Sequence, residues 1–344
     1  MNICTWIYCD EAHEESHYPQ VGQKSSRKKF QEVYWKCVAT FFATSRRMNP
    51  NAKHVLFTNS ERIPRVEGFD LETFLTREME VDVRKLSLTY RVPDRYYGLW
   101  KNQFYLFDIL QHIVEENSGE DEKYLVLDSD CIWIKPALQI ERLLDLHGLL
   151  TMTADIDENP DYVMNGLSRR HMQEIYEELM GSPLDQPPLY FGGEWFAAKK
   201  SEIRRVVTEL DEVWTTSLQR FADNRPKFNE EAQMLSYVYY KLGYEPKTAN
   251  SIIKRIWTQL YGAHNVLPED HSLTIWHLPV EKKLGLARLY EDVIRKDSAF
   301  WRYGNSVAYV AYLSKKLGIP RRSGVKFILD AQRLVYQKLF GVYR

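Results

Sequence analysis

Lys123-Tyr-Leu-Val-Leu-Asp-Ser-Asp-Cys-Ile-Trp-Ile-Lys-Pro136 is the stretch from which the fold can be read. An apolar run bounded by charged residues, with proline at its end, predicts a strand buried on both faces of a sheet and terminated by Pro136. The run carries two acids one residue apart, Asp128 and Asp130. In open α/β sheets, ligands bind beyond the carboxyl ends of the strands. Two carboxylates there offer hard oxygen ligands suited to Mg2+ or Mn2+. An ion so held neutralises a bound diphosphate and stabilises it as a leaving group. The plainer reading is a solvated turn, since Asp and Ser are common turn residues.

Outward from this strand, the chain alternates between strand and helix signals. Ile3–Tyr8, His54–Thr58, Val81–Leu88, Leu149–Ala154, Tyr190–Ala198 and Ser272–Leu278 read as further strands. Phe30–Ser45, Trp100–Val114, Ser201–Phe221 and Glu230–Leu242 carry apolar residues at helical spacing. Alternation of this kind predicts an α/β fold with a mostly parallel central sheet and helices on both faces. Beyond residue 283 the pattern is helical, so the chain divides into a core, 1–283, and a C-terminal extension, 284–344.

Composition allows that architecture. A hydrophobic fraction of 44% over 344 residues supports a sizeable core and argues against general disorder. The net charge of −1 names no partner, but it is unevenly spread. Residues 315–344 hold eight basic side chains against the single acid Asp330. The cysteines, Cys4, Cys9, Cys37 and Cys131, form no CxxC pair or zinc-spaced cluster, and read as reduced thiols of a cytoplasmic protein. The N-terminus reads as a strand rather than a signal peptide, and no apolar run is long enough to span a membrane.

At the level of motifs, Tyr124-Leu-Val-Leu-Asp-Ser-Asp-Cys-Ile-Trp-Ile-Lys-Pro136 resembles the DxD segment of GT-A glycosyltransferases. It is most similar to the retaining galactosyl- and glucosyl-transferase group, glycosyltransferase family 8. Three further segments agree in order. Trp100-Lys101-Asn102 opens a helix where that family places residues near the nucleotide. Tyr190-Phe-Gly-Gly-Glu-Trp-Phe-Ala-Ala198 resembles its glycine-containing strand beside the transferred sugar. Ile275-Trp-His-Leu-Pro-Val-Glu-Lys-Lys283 resembles its late His…Lys element. The resemblance implies a metal held by Asp128, Asp130 and His277, with Asp128 also touching the nucleotide. It implies a diphosphate held by the lysine six positions after the histidine, Lys283. The family's intervening glycine and following Pro-Trp are missing here, which leaves Lys282 as an alternative. Lys101 is a further phosphate candidate.

Other residues enter on their chemistry. Glycines bring backbone close to a ligand, so Gly192-Gly193-Glu194 puts Glu194 forward as a carboxylate near the reacting sugar carbon. Asp155, with Asp157, follows the Leu149–Ala154 strand and is a second candidate for sugar hydroxyls. Glu230 and Glu231, at a helix start, are alternatives for general base. For each of them an ordinary surface or helix-start role is the competing reading.

The resulting expectation is a metal-dependent hexosyltransferase, retaining by its His…Lys element. It would move a sugar from a nucleotide diphosphate to a saccharide or lipid-linked acceptor, in cell-surface polysaccharide or glycolipid synthesis. Mn2+ is favoured over Mg2+ by the imidazole. The basic, near-helical segment 315–344 predicts either contact with an anionic membrane surface or packing on the core. No nucleic-acid motif accompanies it. The competing functions are a haloacid-dehalogenase-type phosphatase, which also uses DxD at a strand end, and a non-catalytic sugar- or membrane-binding protein.

Overall fold

Short apolar runs set out the strands, and the structure, a computed structural model, forms a strand at each of them, several shorter than the run itself. It describes residues 1–19, 21–22, 24–154, 159–259, 264–303, 306–320 and 324–339. The chain divides into two compact units. One comprises Met1–Lys85, Val126–Ile140 and Ser251–Arg344, the other Leu86–Leu125 and Glu141–Asn250.

In the first unit, Asn2–Ile7 pairs parallel with Lys53–Thr58, Ile3 opposite His54. Lys53–Thr58 pairs parallel with Val81–Lys85 on its other side. The carboxyl end of Lys123–Leu127 follows Asn2–Ile7 in the sheet order, tied to it by the Thr5 hydroxyl, which donates to the Leu127 carbonyl at 2.8 Å. The expected α/β class with a largely parallel sheet is therefore what the chain forms. Asn2–Ile7, Lys53–Thr58 and Lys123–Leu127 have almost no exposed face, which is why their sequences run mostly apolar, whereas the edge strand Val81–Lys85 is partly exposed and alternates. Helix Lys28–Met48 packs against this sheet, burying Val38, Phe41 and Phe42. It ends at Asn49, with Arg46 and Arg47 in its last turn, where cations suit the helix dipole.

The reading of residues 123–134 as one strand needs correction. The run breaks at the acids: Lys123–Leu127 is one strand, and the Cys131 amide donates to the Asp128 carbonyl at 3.1 Å to close a turn. Cys131–Trp133 then joins a different, three-stranded sheet with Ile275–His277 and Ile253–Arg255. Both halves are buried, so hydrophobicity alone could not reveal the break between them.

In the second unit, Trp195–Lys199 pairs antiparallel with Leu149–Leu150, Ala197 opposite Leu150. The expected helix over Trp100–Val114 begins as a 3-10 turn, Lys101–Phe104, before the α-helix Tyr105–Glu115. Helices Lys200–Ala222 and Glu231–Lys241 lie where their periodicity predicts.

After residue 283 the first unit is helical: Gly285–Val293, Ala299–Arg302, Ser306–Leu317 and Gly324–Leu339. Among the described residues no helix is long and apolar enough to cross a membrane. All four cysteines are unpaired thiols, and Cys4, Cys37 and Cys131 are buried.

Candidate metal centre

The turn Asp128–Asp130 is held to a second strand by backbone pairing. Cys131–Trp133 runs antiparallel to Ile275–His277 in a register that sets His277 opposite Cys131. The Leu278 amide donates to the Asp130 carbonyl at 3.1 Å, extending that pairing to the acid itself. On its other edge, Ile275–His277 pairs parallel with Ile253–Arg255, and the Ile256 amide donates to the His277 carbonyl at 2.9 Å. Residues 147 positions apart in sequence, Asp130 and His277, are thus fixed side by side by β-sheet geometry rather than by flexible loops.

The His277 Nε2 lies 3.2 Å from Asp130 Oδ2 and 3.7 Å from Asp128 Oδ2. Ligand atoms of the three residues fall within 4.8 Å of one another. Asp130 and His277 are buried, whereas the Asp128 side chain is 36% exposed. The centre therefore has a closed back and one open wall, the form a site needs if it is to bind ion and substrate together.

A cation already belongs to the protein here. After the strand, Pro279–Lys283 makes a 3-10 turn that aims Lys282 at the centre, and its Nζ donates to Asp130 Oδ2 at 2.5 Å. Burial opposes ionisation of Asp130, yet the charges of Lys282 and His277 outweigh it and hold the carboxyl well below the usual carboxylate range. Burial likewise disfavours a charged Lys282, and Asp130 reverses that, leaving its pKa raised. Lys282 lies 5.6 Å from the centre of the Tyr34 ring, whose hydroxyl is pushed far above its ordinary value by burial and then by Asp130.

The two carboxylates offer oxygen donors and the imidazole offers a nitrogen donor. That donor set fits a divalent ion of the Mn2+ or Mg2+ type, with the nitrogen favouring Mn2+. Of the two lysines named from the sequence, Lys282 meets the acids. Lys283 turns instead to the Val21 carbonyl at 2.7 Å, and burial lowers its pKa to about 8.

The remaining candidates lie in the second unit. Lys101 sits 3.7 Å from Asp94. Glu194 is buried just before strand Trp195–Lys199. Glu230 does not cap the helix it precedes; it accepts from Asn165 Nδ2 at 2.6 Å and from the Tyr190 hydroxyl. Gly193 lies against Glu231, so closely that a Cβ there would collide with its carboxylate oxygen. The glycine-containing segment and the helix-start acids, named separately from sequence, are thus neighbours, with Glu194, Glu230 and Glu231 all buried. Asp155 and Asp157 lie outside the described residues. Sequence reasoning did not find Tyr34 or Glu281. Tyr34 is one aromatic residue in an apolar helix, and Glu281 sits between better-marked neighbours, so neither carries a local signal.

No family model matches the chain, and no curated protein does. Among solved structures, it is similar to the galactosyltransferase LgtC in complex with donor and acceptor sugar analogues, at 12% identity and a TM-score of 0.44. That match covers 81% of this chain and 87% of the other. It is also similar to mouse xyloside xylosyltransferase 1 in its apo form, at 12% identity and a TM-score of 0.45, over 80% of this chain and 97% of that one. At this distance the likenesses assign no activity and no residue roles.

Proposed function

We propose that this chain is a metal-dependent glycosyltransferase of the GT-A type, transferring a hexose from a nucleotide diphosphate sugar to a saccharide or lipid-linked acceptor. The observation that carries the reading is the convergence of Asp128, Asp130 and His277 at the end of a central strand, with Lys282 beside them. In this reading residues 1–283 form the catalytic part and 284–344 its helical extension.

Asp128, Asp130 and His277 would hold the divalent ion, which when bound offsets the charge of the diphosphate. The chain's own contribution is preorganisation. Lys282 keeps Asp130 ionised and holds its Oδ2 beside His277 Nε2. Lys282, with Lys283 and Lys101 as further candidates, supplies positive charge toward the departing phosphate oxygens. Glu194 is the carboxylate proposed near the reacting sugar carbon, with Asp155, Glu230 and Glu231 as alternatives, and retention of configuration is the proposed outcome.

The phosphatase alternative asks the second acid of the DxD to donate a proton. An Asp130 whose pKa is depressed by Lys282 and His277 is poorly suited to that task.

We further propose that the extension meets an anionic bilayer. On helix Gly324–Leu339, Lys326 and Asp330 are buried, while Val325, Phe327, Ile328, Leu329 and Val335 are exposed. An outward apolar face within a segment of eight basic residues and one acid fits the negative headgroup region, and each cation near it contributes about 1 kcal/mol.

The test is a panel of nucleotide sugars (UDP- and GDP-linked hexoses) incubated with and without Mn2+, scored for release of the nucleoside diphosphate. Mn2+-dependent release from at least one donor is expected. Release that is indifferent to Mn2+ and to excess chelator would count against the proposal.

A further inference from the structure

We infer that Lys326, on the C-terminal helix, is a positioning residue for the metal centre: it neutralises Glu281 and so keeps the neighbouring Lys282 on Asp130. The inference rests on the transferase reading above and adds to it a part played by the extension.

Glu281 and Lys282 are adjacent in the Pro279–Lys283 turn but bond to different partners. Lys282 donates to Asp130. Glu281, 1% exposed, faces the helical extension. It accepts from the Thr258 hydroxyl at 2.5 Å, from the Gly285 amide at 2.8 Å, and from Lys326 Nζ at 2.9 Å to each carboxylate oxygen. Lys326 also donates to Asp330 at 2.6 Å, and Asp330 accepts from Arg288 on helix Gly285–Val293 at 2.7 Å. Four charges summing to zero, with Glu281, Lys326 and Asp330 buried and Arg288 partly exposed, thereby join the turn to two helices. The turn is packed tightly there: a Cβ on Gly285 would lie 2.5 Å from Glu281 Oε2 and 2.9 Å from Leu317.

A buried carboxylate that loses its cation seeks another, because water cannot solvate it in place. For Glu281 the next cation along the chain is Lys282, whose present partner is Asp130. Without Lys326, Glu281 becomes a rival anion for the lysine that orients Asp130. A side chain on the C-terminal helix thus governs how well the centre is assembled through its bond to Glu281.

Charge-specific variants separate this from simple packing. Mn2+ with UDP, and in parallel Mn2+ with GDP, is titrated calorimetrically at 10 °C into wild type, Lys326→Met, and the double variant Glu281→Gln/Lys326→Met. Near-UV circular dichroism checks that each is folded. Lys326→Met should bind the preferred nucleotide at least tenfold more weakly. The double variant, with the rival anion removed, should return to within threefold of wild type. Should Lys326→Met not fold, Lys326→Gln, which keeps donors and removes the charge, replaces it with the same expectation. A folded single variant that binds within threefold of wild type overturns the inference, as does a double variant as weak as the single. Wild-type protein that takes neither nucleotide with Mn2+ removes the transferase reading itself, and the inference with it.

Discussion

Asp128 and Asp130 look equivalent in sequence, yet their environments assign them different work. Asp130 is buried under Lys282 and His277, while Asp128 is open to solvent on one side. Asp128→Asn should therefore lower metal-dependent turnover by about 100-fold or more, equivalent to about 2.7 kcal/mol of transition-state stabilisation. Its melting temperature should stay within a few degrees of wild type. Asp130→Asn should lose activity and also stability, by about 3–5 kcal/mol, because Lys282 is left buried without its anion. Paired activity and urea-unfolding measurements on the two variants check this, and equal stability losses would contradict it. Sequence spacing favoured Lys283 over Lys282 for the phosphate side. The three-dimensional reason for the difference is the 3-10 turn, whose three-residue repeat sends adjacent side chains to different sides. His54 offers a pH test away from the site. It is buried, shares a hydrogen bond with Ser45 at 2.9 Å, and burial, aided by Arg46, lowers its pKa from 6.5 to about 4. The unfolded chain binds that proton more readily, so stability is present above pH 6.5 and falls as pH drops toward 4. Between pH 7.5 and 4.5 the loss from this one group is about 2–3 kcal/mol, and His54→Gln should remove most of it from the difference in unfolding free energy.

At the scale of elements, pairing register does what spacing could not. The strand Ile275–His277 is held on both edges, and its antiparallel register with Cys131–Trp133 brings His277 to the acids. The acids were legible from their place at the end of an apolar strand, and the histidine from the resemblance of its segment to the late His…Lys element of glycosyltransferase family 8. The break within 123–134 was not, since Leu127 and Cys131 are equally buried on either side of it. In the second unit, Gly192, Gly193 and Glu194 form a segment whose glycines are set by crowding rather than by an unusual backbone angle. Gly193→Ala drives a methyl group into Glu231 and to within 3.1 Å of Ala232. The expected cost is about 1–3 kcal/mol, as for other overpacked interiors, measured by urea unfolding. A neutral result would show that the helix start yields readily.

For the whole molecule, the distribution of charge matters more than its sum. A net charge of −1 conceals a C-terminal segment with eight cations and one acid. The sequence left two uses for that segment, packing on the core or contact with a membrane, and the final helix shows why they need not compete. It turns Lys326 and Asp330 inward to their ion partners Glu281 and Arg288 and leaves Val325, Ile328 and Val335 outward. Periodicity could find the helix but not its orientation, because a buried lysine is indistinguishable from an exposed one in sequence. Sedimentation with vesicles should therefore show binding to phosphatidylglycerol-containing bilayers and little to pure phosphatidylcholine. The double variant Val325→Asp/Ile328→Asp should reduce that binding at least tenfold with the fold retained, and undiminished binding would reject this face as the contact. The account as a whole stands on the divalent ion, and anomalous diffraction at the manganese edge from crystals soaked with Mn2+ and UDP or GDP addresses it most directly. It predicts a peak bonded to Asp128, Asp130 and His277, whereas an anomalous map with no peak at those three side chains would contradict it.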